Sequence, residues 1–215
     1  PGYYLLEQSS PTSAGNMEWF VRNLMSYERK EASENGSSVY DLTNKWVEEL
    51  EPQDDECVFL PFLNGSNEEA LARGTFIGLT AYHTKKHMLR AVYEGIVFSH
   101  LTHVKRLLLD HEVPSSILLS GGAANSEVWV QIFADAMQIP VAAIGGKELG
   151  ALGAAMSAGI ASGVFADYPE AIAKTVQISG VTEPRPEYKE IYEKKYETYR
   201  KVIESLAPAW SRFAE

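Results

Sequence analysis

Cysteine is nearly absent from this sequence. Cys57 is the one cysteine among 215 residues, which excludes a disulfide framework within one chain. No apolar run reaches the roughly 18 residues that a membrane-spanning helix needs, and no signal peptide opens the sequence. We therefore expect a cytoplasmic protein in a reducing compartment, with Cys57 as a small buried residue beside an apolar strand.

Positive charge is also scarce. The chain carries 19 lysines and arginines against 29 aspartates and glutamates, for a formal net charge of −10 and a sequence pI near 5.0. Such a balance disfavours binding to nucleic-acid phosphates or to anionic membrane surfaces. Apolar residues make up 45% of the chain and can fill a core. We expect a globular protein of one large or two small domains, without nucleic-acid or membrane partners.

Several motifs of catalytic and nucleotide-binding proteins are missing. Gly146-Lys147 resembles the end of a P-loop, but Glu148 stands where a magnesium-binding Ser or Thr belongs and Val141 where the first glycine belongs. No G-x-G-x-x-G or G-x-S-x-G motif is present. Two histidine pairs have helical spacing but lack the H-E-x-x-H glutamate and a third ligand, which predicts solvated or capping side chains rather than a metal site. These pairs are His83 with His87 and His100 with His103.

Apolar periodicity predicts alternating strands and helices, and hence an α/β architecture. Expected strands cover residues 3–6, 57–61, 75–79, 117–119 and 141–144. Expected helices cover residues 11–24, 41–50, 86–111, 127–137, 148–161, 169–175 and 187–206, the last as an amphipathic surface helix. We expect the helix at 86–111 to be continuous and to pack across the sheet.

The stretch SGGAANS at residues 120–126 connects an apolar strand to an amphipathic helix. Its two glycines permit positive φ and let a ligand approach the backbone closely, and Asn125 or Ser126 can cap the helix. The free N–H groups and positive dipole end of that helix suit a nucleotide. This pattern alone leaves open both a nucleotide site and an ordinary turn.

The segment at residues 72–98, ARGTFIGLTAYHTKKHMLRAVYEGIVF, resembles the C-terminal-domain signature of the FGGY carbohydrate kinases. The matching residues are Gly74, Phe76, Gly78, Leu79, His87, Met88, Ala91, Val92 and Glu94. SGGAANSEVWVQIFAD is similar to the family's strand, G-G-A turn and helix, and Glu148 with the A-L-G-A-A run at residues 151–155 is similar to its third hallmark. Ser13-Ala14 through Trp19 resembles the family's small-residue helix start. The four stretches follow the family's order and cover most of the chain.

This resemblance implies an α/β fold of the actin-like ATPase type, with two ribonuclease-H-like domains and with sugar and ATP bound in the cleft between them. Residues 1–215 would form the C-terminal nucleotide-binding half of such a two-domain sugar kinase, with residues 184–215 as a helical extension. The small residues at 148–163 would let another helix or the neighbouring domain approach closely near the interdomain hinge.

The resemblance also implies a set of nucleotide contacts. The family's G-G-A turn places adenine and ribose contacts on Gly121, Gly122 and Ser126, and the early helix adds Ala14 and Glu18. Bare glycine backbone accommodates a flat purine, and a Glu18 carboxylate can accept a hydrogen bond from a ribose hydroxyl. An exposed helix residue without a ligand is the alternative for Glu18.

In the family, the phosphate loops, the sugar contacts and the aspartate that deprotonates the sugar hydroxyl precede the matched region. The resemblance therefore implies a fragment of a longer kinase, or a truncated product, that lacks its N-terminal domain and the opening strands of its own sheet. It assigns no catalytic or metal residue to this chain, which we expect to phosphorylate no sugar alone.

For the full-length protein, the resemblance implies transfer of the γ-phosphate of ATP, bound with Mg²⁺, to a sugar hydroxyl. A pentulose such as xylulose or L-xylulose is the favoured acceptor, and a homodimer is left open. The alternative is a non-catalytic actin-like module that binds an adenosine nucleotide for regulation or assembly. An upstream reading frame that encodes the catalytic aspartate would discriminate the two.

Overall fold

The computed structural model describes residues 4–11, 13–53, 57–144 and 148–213. Its helices are α1 (Gly15–Leu24), α2 (Ser26–Glu34), α3 (Val39–Glu48), α4 (Lys85–Leu107), α5 (Glu127–Met137), α6 (Leu149–Ala161), α7 (Tyr168–Thr175) and α8 (Lys189–Trp210). Its strands are β1 (Val58–Leu60), β2 (Thr75–Ile77), β3 (Ile117–Leu119), β4 (Val141–Ile144) and β5 (Ile178–Thr182). Single 3₁₀ turns lie at Gly122–Asn125, Pro186–Tyr188 and Ser211–Phe213. The alternation of strands and helices agrees with the predicted α/β class.

Helix α4 is the centre of the fold. It begins after Thr84, whose backbone N–H donates to His87 Nδ1 3.1 Å away. Strand β1 and helices α1, α3, α5 and α8 pack around it, and most of its residues are buried. The structure confirms the predicted continuous helix, although it ends at Leu107 rather than at residue 111.

Gly95 allows α4 to lie close to β1. A β-carbon on this residue would overlap the carbonyl oxygen of Phe59, so the helix and the strand can approach to this distance only with glycine here. Strand β1 pairs antiparallel with β2 in a sheet separate from the one that β3, β4 and β5 form. Helix α4 therefore packs on a two-stranded pair rather than across one larger sheet.

The second sheet has the order β3-β4-β5, with β3 parallel and β5 antiparallel to β4. Helix α5 connects β3 to β4 and packs against β4 and β5, as a crossover between parallel neighbours requires. Residues 120–126 follow the carboxyl end of β3, the end of a strand where open α/β sheets bind their ligands.

The C-terminal helix α8 lies against α4, α5 and β1. Four of its aromatic and aliphatic side chains are buried and join the core: Tyr192, Tyr199, Ile203 and Trp210. The segment predicted as a helical extension therefore contributes to the core of this domain. Cys57 is 2% exposed, as predicted.

Several local predictions differ from the structure. Residues 4–6 form no strand, and Tyr4 and Leu5 are exposed because no described strand pairs with them. Helix α2 is not predicted, because it buries only Ala32 and has no apolar periodicity. Strand β5 is not predicted either, because Gly180, with φ 148°, interrupts the alternation of apolar and polar residues that is typical of a strand. Tyr3 of the first predicted strand, and Gly146 with Lys147, lie outside the described residues. No helix in the described part of the chain has the length and apolar character needed to cross a membrane.

Candidate functional site

A cavity of about 500 Å³ opens between the first turns of α1, helices α3 and α4, and the 3₁₀ turn before α5. Its lining residues are Ala14, Gly15, Met17, Glu18, Tyr40, Asn44, Tyr93, Gly122, Asn125, Ser126 and Trp129. The volume lies in the range of sites for small molecules and cofactors.

Four of the five predicted nucleotide contacts meet in this cavity. Ala14 and Glu18 come from the start of α1, and Gly122 and Ser126 come from the turn that leads into α5. Folding thus brings together two stretches that lie far apart in the sequence. Gly121 is not among the lining residues.

The two glycines of the turn serve different structural needs. Gly121 has φ 85°, a conformation that other residues rarely adopt, so the turn itself requires glycine there. Gly122 is not among the glycines with positive φ, and a β-carbon on it would meet no protein atom within 4 Å. The described backbone therefore does not require glycine at position 122, which lines the cavity.

Ser126 fixes the turn that carries the glycines. Its Oγ accepts a hydrogen bond from the backbone N–H of Trp129 3.2 Å away, so Ser126 rather than Asn125 caps α5. The same hydroxyl donates to Asn44 Oδ1 at 2.7 Å, which ties the turn to α3. Ser126 is buried, so its hydroxyl holds two walls of the cavity together.

Two aromatic side chains form one wall of the cavity. The rings of Tyr93 and Trp129 are packed with centroids 4.4 Å apart and planes at 36°. The Tyr93 hydroxyl donates to Asn44 Oδ1 at 2.9 Å and lies 3.1 Å from Thr43 Oγ1. Burial raises the pKa of Tyr93 to about 12, so its phenol stays protonated at neutral pH. This wall offers an apolar surface beside a small hydrogen-bonded network.

Glu18 has a protein partner at the rim of the cavity. The Tyr40 hydroxyl donates to its carboxylate. Burial, together with this hydrogen bond to Glu18, raises the pKa of Tyr40 to about 12. The phenol therefore remains a donor at neutral pH, and it orients one carboxylate oxygen of Glu18 while the side chain stays exposed.

Sequence reasoning did not single out Tyr40, Asn44, Tyr93 or Trp129 as site residues. Tyr40 and Asn44 are four positions apart and share one face of α3, which is a detectable signal. The face can be recognised as part of a site only in the folded chain, where α3 lies beside the turn before α5. Trp129 belongs to an apolar helical face and Tyr93 lies within the signature segment, and neither pattern marks a residue as part of a site.

The histidines make structural contacts. The backbone N–H of Thr80 donates to His83 Nδ1 at 2.9 Å, and His87 caps α4. The hydroxyl of Ser13 lies 2.7 Å from His100 Nε2, on the side of α4 that faces α1. Among the described residues, no group of three or more His, Cys, Asp or Glu side chains is placed to hold a metal ion.

Comparison with known proteins gives consistent matches. A family model described as the FGGY family of carbohydrate kinases, C-terminal domain, matches residues 1–162. The L-xylulose/3-keto-L-gulonate kinase of Escherichia coli (strain K12) is 33% identical over 214 residues, which cover 100% of this chain and 41% of that protein. The probable L-xylulose kinase of Haemophilus influenzae is 34% identical over 206 residues, which cover 94% of this chain and 39% of that protein.

Solved structures agree in fold. The crystal structure of xylulose kinase from Rhodospirillum rubrum superposes with a TM-score of 0.79 at 27% identity, over 94% of this chain and 40% of the other. That of ligand-bound xylulose kinase from Lactobacillus acidophilus gives a TM-score of 0.79 at 26% identity, over 95% and 40%. The chain thus spans well under half the length of these relatives.

Proposed function

The chain belongs to the FGGY family of carbohydrate kinases, and we propose that its 500 Å³ cavity binds the adenosine part of ATP. Membership confirms the predicted family, and the likeness to solved xylulose kinases confirms the predicted actin-like α/β fold, with this chain as the C-terminal domain.

One observation carries the proposal. The two stretches that the family resemblance assigns to nucleotide contacts, at the start of α1 and at the turn before α5, converge on one cavity. The glycine at position 122, which lines the cavity with no backbone reason to be glycine, supports the same proposal.

The chemistry of the walls suits a nucleoside. A purine has two flat apolar faces and an edge of donors and acceptors, and aromatic side chains are favourable partners for such a base. Tyr93 and Trp129 supply an aromatic wall, and Asn44 supplies an amide beside it. Glu18 supplies a carboxylate oxygen at the rim, where a ribose hydroxyl can donate to it.

We propose that the full-length kinase uses ATP to phosphorylate a hydroxyl of a sugar, and that the sugar is a pentulose such as xylulose or L-xylulose. The names of the E. coli and H. influenzae relatives support an L-xylulose-type acceptor. We propose that Mg²⁺ accompanies the polyphosphate of ATP. The residues of this chain bind and orient the nucleoside, and they exclude water from its base.

The partner of this domain is the companion N-terminal domain of FGGY kinases, which would supply the sugar site, the phosphate loops and the general base. We place the activity in the cytoplasm, because a chain with one cysteine forms no internal disulfide and suits a reducing compartment.

Adenosine titration of the isotope-labelled chain, followed by chemical shifts of backbone amides, tests the proposal. We expect weak binding, with Kd in the millimolar range or about −4 kcal/mol, because the groups that hold the polyphosphate lie elsewhere. Shifts should cluster at residues 14–18 and 121–126. Unmoved amides in these two segments at saturating adenosine would contradict the proposal.

Gly122→Val provides the matched test of the cavity. The added side chain should occupy the space of the base and remove binding, whereas the far-ultraviolet circular dichroism should remain that of the parent. Ala124→Val, in the same turn but outside the cavity lining, is the control and should keep binding. If Gly122→Val unfolds the domain, the glycine serves the turn and no longer supports the proposal.

A further inference from the structure

The side-chain amide of Asn44 has a fixed place in the cavity wall. Asn44 lies on α3, one helical turn after Tyr40, and both side chains line the cavity. The side-chain oxygen Oδ1 of Asn44 accepts hydrogen bonds from Ser126 Oγ at 2.7 Å and from the Tyr93 hydroxyl at 2.9 Å. An amide oxygen has two lone pairs, so these two donors use its capacity as an acceptor.

The two donors are themselves held in place. Ser126 Oγ accepts a hydrogen bond from the backbone N–H of Trp129, so its own proton is available for Asn44. Burial raises the pKa of Tyr93 to about 12, which keeps its hydroxyl a donor at neutral pH. Rotation of the Asn44 amide by half a turn would set its N–H groups against both hydroxyl protons, and Ser126 and Tyr93 are buried. Because unpaired buried polar groups are costly, the network fixes the orientation of the amide.

The amide nitrogen Nδ2 of Asn44 is the part of this network that is available to a ligand. Among the described residues, none accepts a hydrogen bond from it. Asn44 is partly buried and lines the cavity together with the rings of Tyr93 and Trp129. A ligand packed on these rings can therefore meet the two N–H groups of Asn44. The network presents donors, rather than an acceptor, to such a ligand.

A second asparagine of the cavity lining has no comparable support. Asn125 is exposed, and none of the residues that the structure describes is hydrogen-bonded to its side chain. Its amide can turn either the oxygen or the nitrogen towards a ligand, so it can adapt to different base edges. A site discriminates strongly when its hydrogen-bonding group would be left unpaired by the wrong ligand. Of the two asparagines, Asn44 has the fixed orientation that such discrimination requires.

We propose that Asn44 is a specificity-determining residue of the nucleotide site, and that its Nδ2 donates a hydrogen bond to an unprotonated ring nitrogen of adenine. This inference rests on the proposed adenosine site and adds the contact by which that site recognises the base. Stacking on an aromatic wall tolerates every base, because every base has a flat π face. The aromatic rings of Tyr93 and Trp129 therefore supply affinity, and the oriented amide of Asn44 supplies selectivity.

Deaza analogues of adenosine test the contact atom by atom. In 1-deaza-, 3-deaza- and 7-deazaadenosine, a C–H group replaces one ring nitrogen, so the flat face and the ribose remain while one acceptor is lost. Binding of each nucleoside to the full 215-residue chain is measured by NMR titration of the backbone amides. We expect one analogue to bind about three- to tenfold more weakly than adenosine, which is the range for one hydrogen bond. The other two analogues should bind like adenosine.

Substitutions of the two asparagines identify the donor. Asn44→Asp keeps an acceptor for Ser126 and Tyr93 but replaces the N–H groups by an oxygen, so it should bind adenosine and the weakened analogue equally. Asn44→Ala removes the donor without adding charge and should also bind the two nucleosides equally. Asn125→Asp makes the same chemical change in the same cavity and should keep the difference that the parent shows. Far-ultraviolet circular dichroism checks that each variant is folded.

The outcomes separate this contact from the nucleotide site itself. If the parent binds adenosine and all three analogues equally, the contact is wrong and the adenosine site stands. The same conclusion follows if the difference persists in both Asn44 variants, or if Asn125→Asp removes it, because another residue then recognises the ring nitrogen. A parent chain that binds no adenosine would overturn both proposals.

Discussion

The ring of Tyr93 lies against that of Trp129, and the Trp129 indole N–H donates to the Tyr93 carbonyl oxygen 3.3 Å away. The pair joins α4 to α5 at the wall of the cavity. The hydroxyl of Tyr93 extends the connection to Asn44 on α3, and Ser126 reaches the same amide oxygen. Three helices are therefore held at the site by a few buried polar contacts, and the shape of the cavity depends on them.

Removal of the Tyr93 hydroxyl should measure this dependence. In Tyr93→Phe, the network loses the hydroxyl shared by Asn44 and Thr43, and we expect the free energy of unfolding to fall by about 1–2 kcal/mol. Urea denaturation measures the change. Tyr27→Phe, at a residue that is 72% exposed, should leave stability unchanged, and equal stability of the two variants would show that the Tyr93 contacts contribute nothing.

Glycine to alanine substitutions in two helices should have opposite effects. Gly95→Ala in α4 should destabilise by about 1–3 kcal/mol despite the better helix propensity of alanine, because its β-carbon collides with the Phe59 carbonyl. Gly153→Ala in α6 meets no atom within 4 Å, so propensity alone should stabilise by up to about 1 kcal/mol. Thermal unfolding of both variants measures these changes in stability. A stabilised Gly95→Ala protein would mean that α4 and β1 are farther apart than the structure has them.

Local sequence patterns predicted the helices and strands in which apolar residues recur with a regular helical or strand spacing. Helix α4 repeats apolar residues along its whole length, so its continuity through Gly95 was readable from sequence. Helix α2 was not readable, because its single buried residue, Ala32, creates no period.

The residues of the candidate site also differ in whether the sequence could predict them. Gly122 and Ser126 stood out because the turn between a strand and a helix is a local feature. Asn44 and Tyr40 did not, because their position depends on how α3 packs beside α4 and α5. The hydrogen bond from Ser126 to Asn44 joins residues 82 positions apart, and no local pattern encodes such a contact.

The C-terminal helix should depend on one buried ion pair. Lys195 Nζ lies 2.6 Å from Glu94 Oε2, and Arg90 Nε lies 2.9 Å from Glu94 Oε1, with all three side chains at 5% exposure or less. Lys195→Met removes one partner and should cost about 3–5 kcal/mol, because a buried carboxylate loses part of its compensation. Urea denaturation provides the measurement.

The neighbouring residue provides a control for that variant. Lys194 pairs with Glu190 at 3.0 Å on the exposed side of α8, so Lys194→Met should change stability by less than about 1 kcal/mol. Similar losses in the two variants would show that α8 is held by its apolar face alone. In that case, the buried charges would not anchor the segment that follows the region matched by the family model.

Stability should fall as the pH is lowered through the range in which histidine titrates. Burial, with a smaller contribution from the charge of His103, holds the pKa of His100 below its ordinary value of 6.5, and burial lowers the pKa of His103 as well. The unfolded chain therefore takes up these protons at higher pH than the folded chain does. Their contribution is fully present above pH 6.5 and is lost as pH falls through the folded pKa values. Urea denaturation between about pH 7.5 and about pH 5.5 should show a smaller loss for the double variant His100→Gln/His103→Gln than for the parent. His111→Gln, at an exposed position, should lose as much stability as the parent over this pH range. An equal loss in the double variant would show that His100 and His103 do not cause the pH dependence.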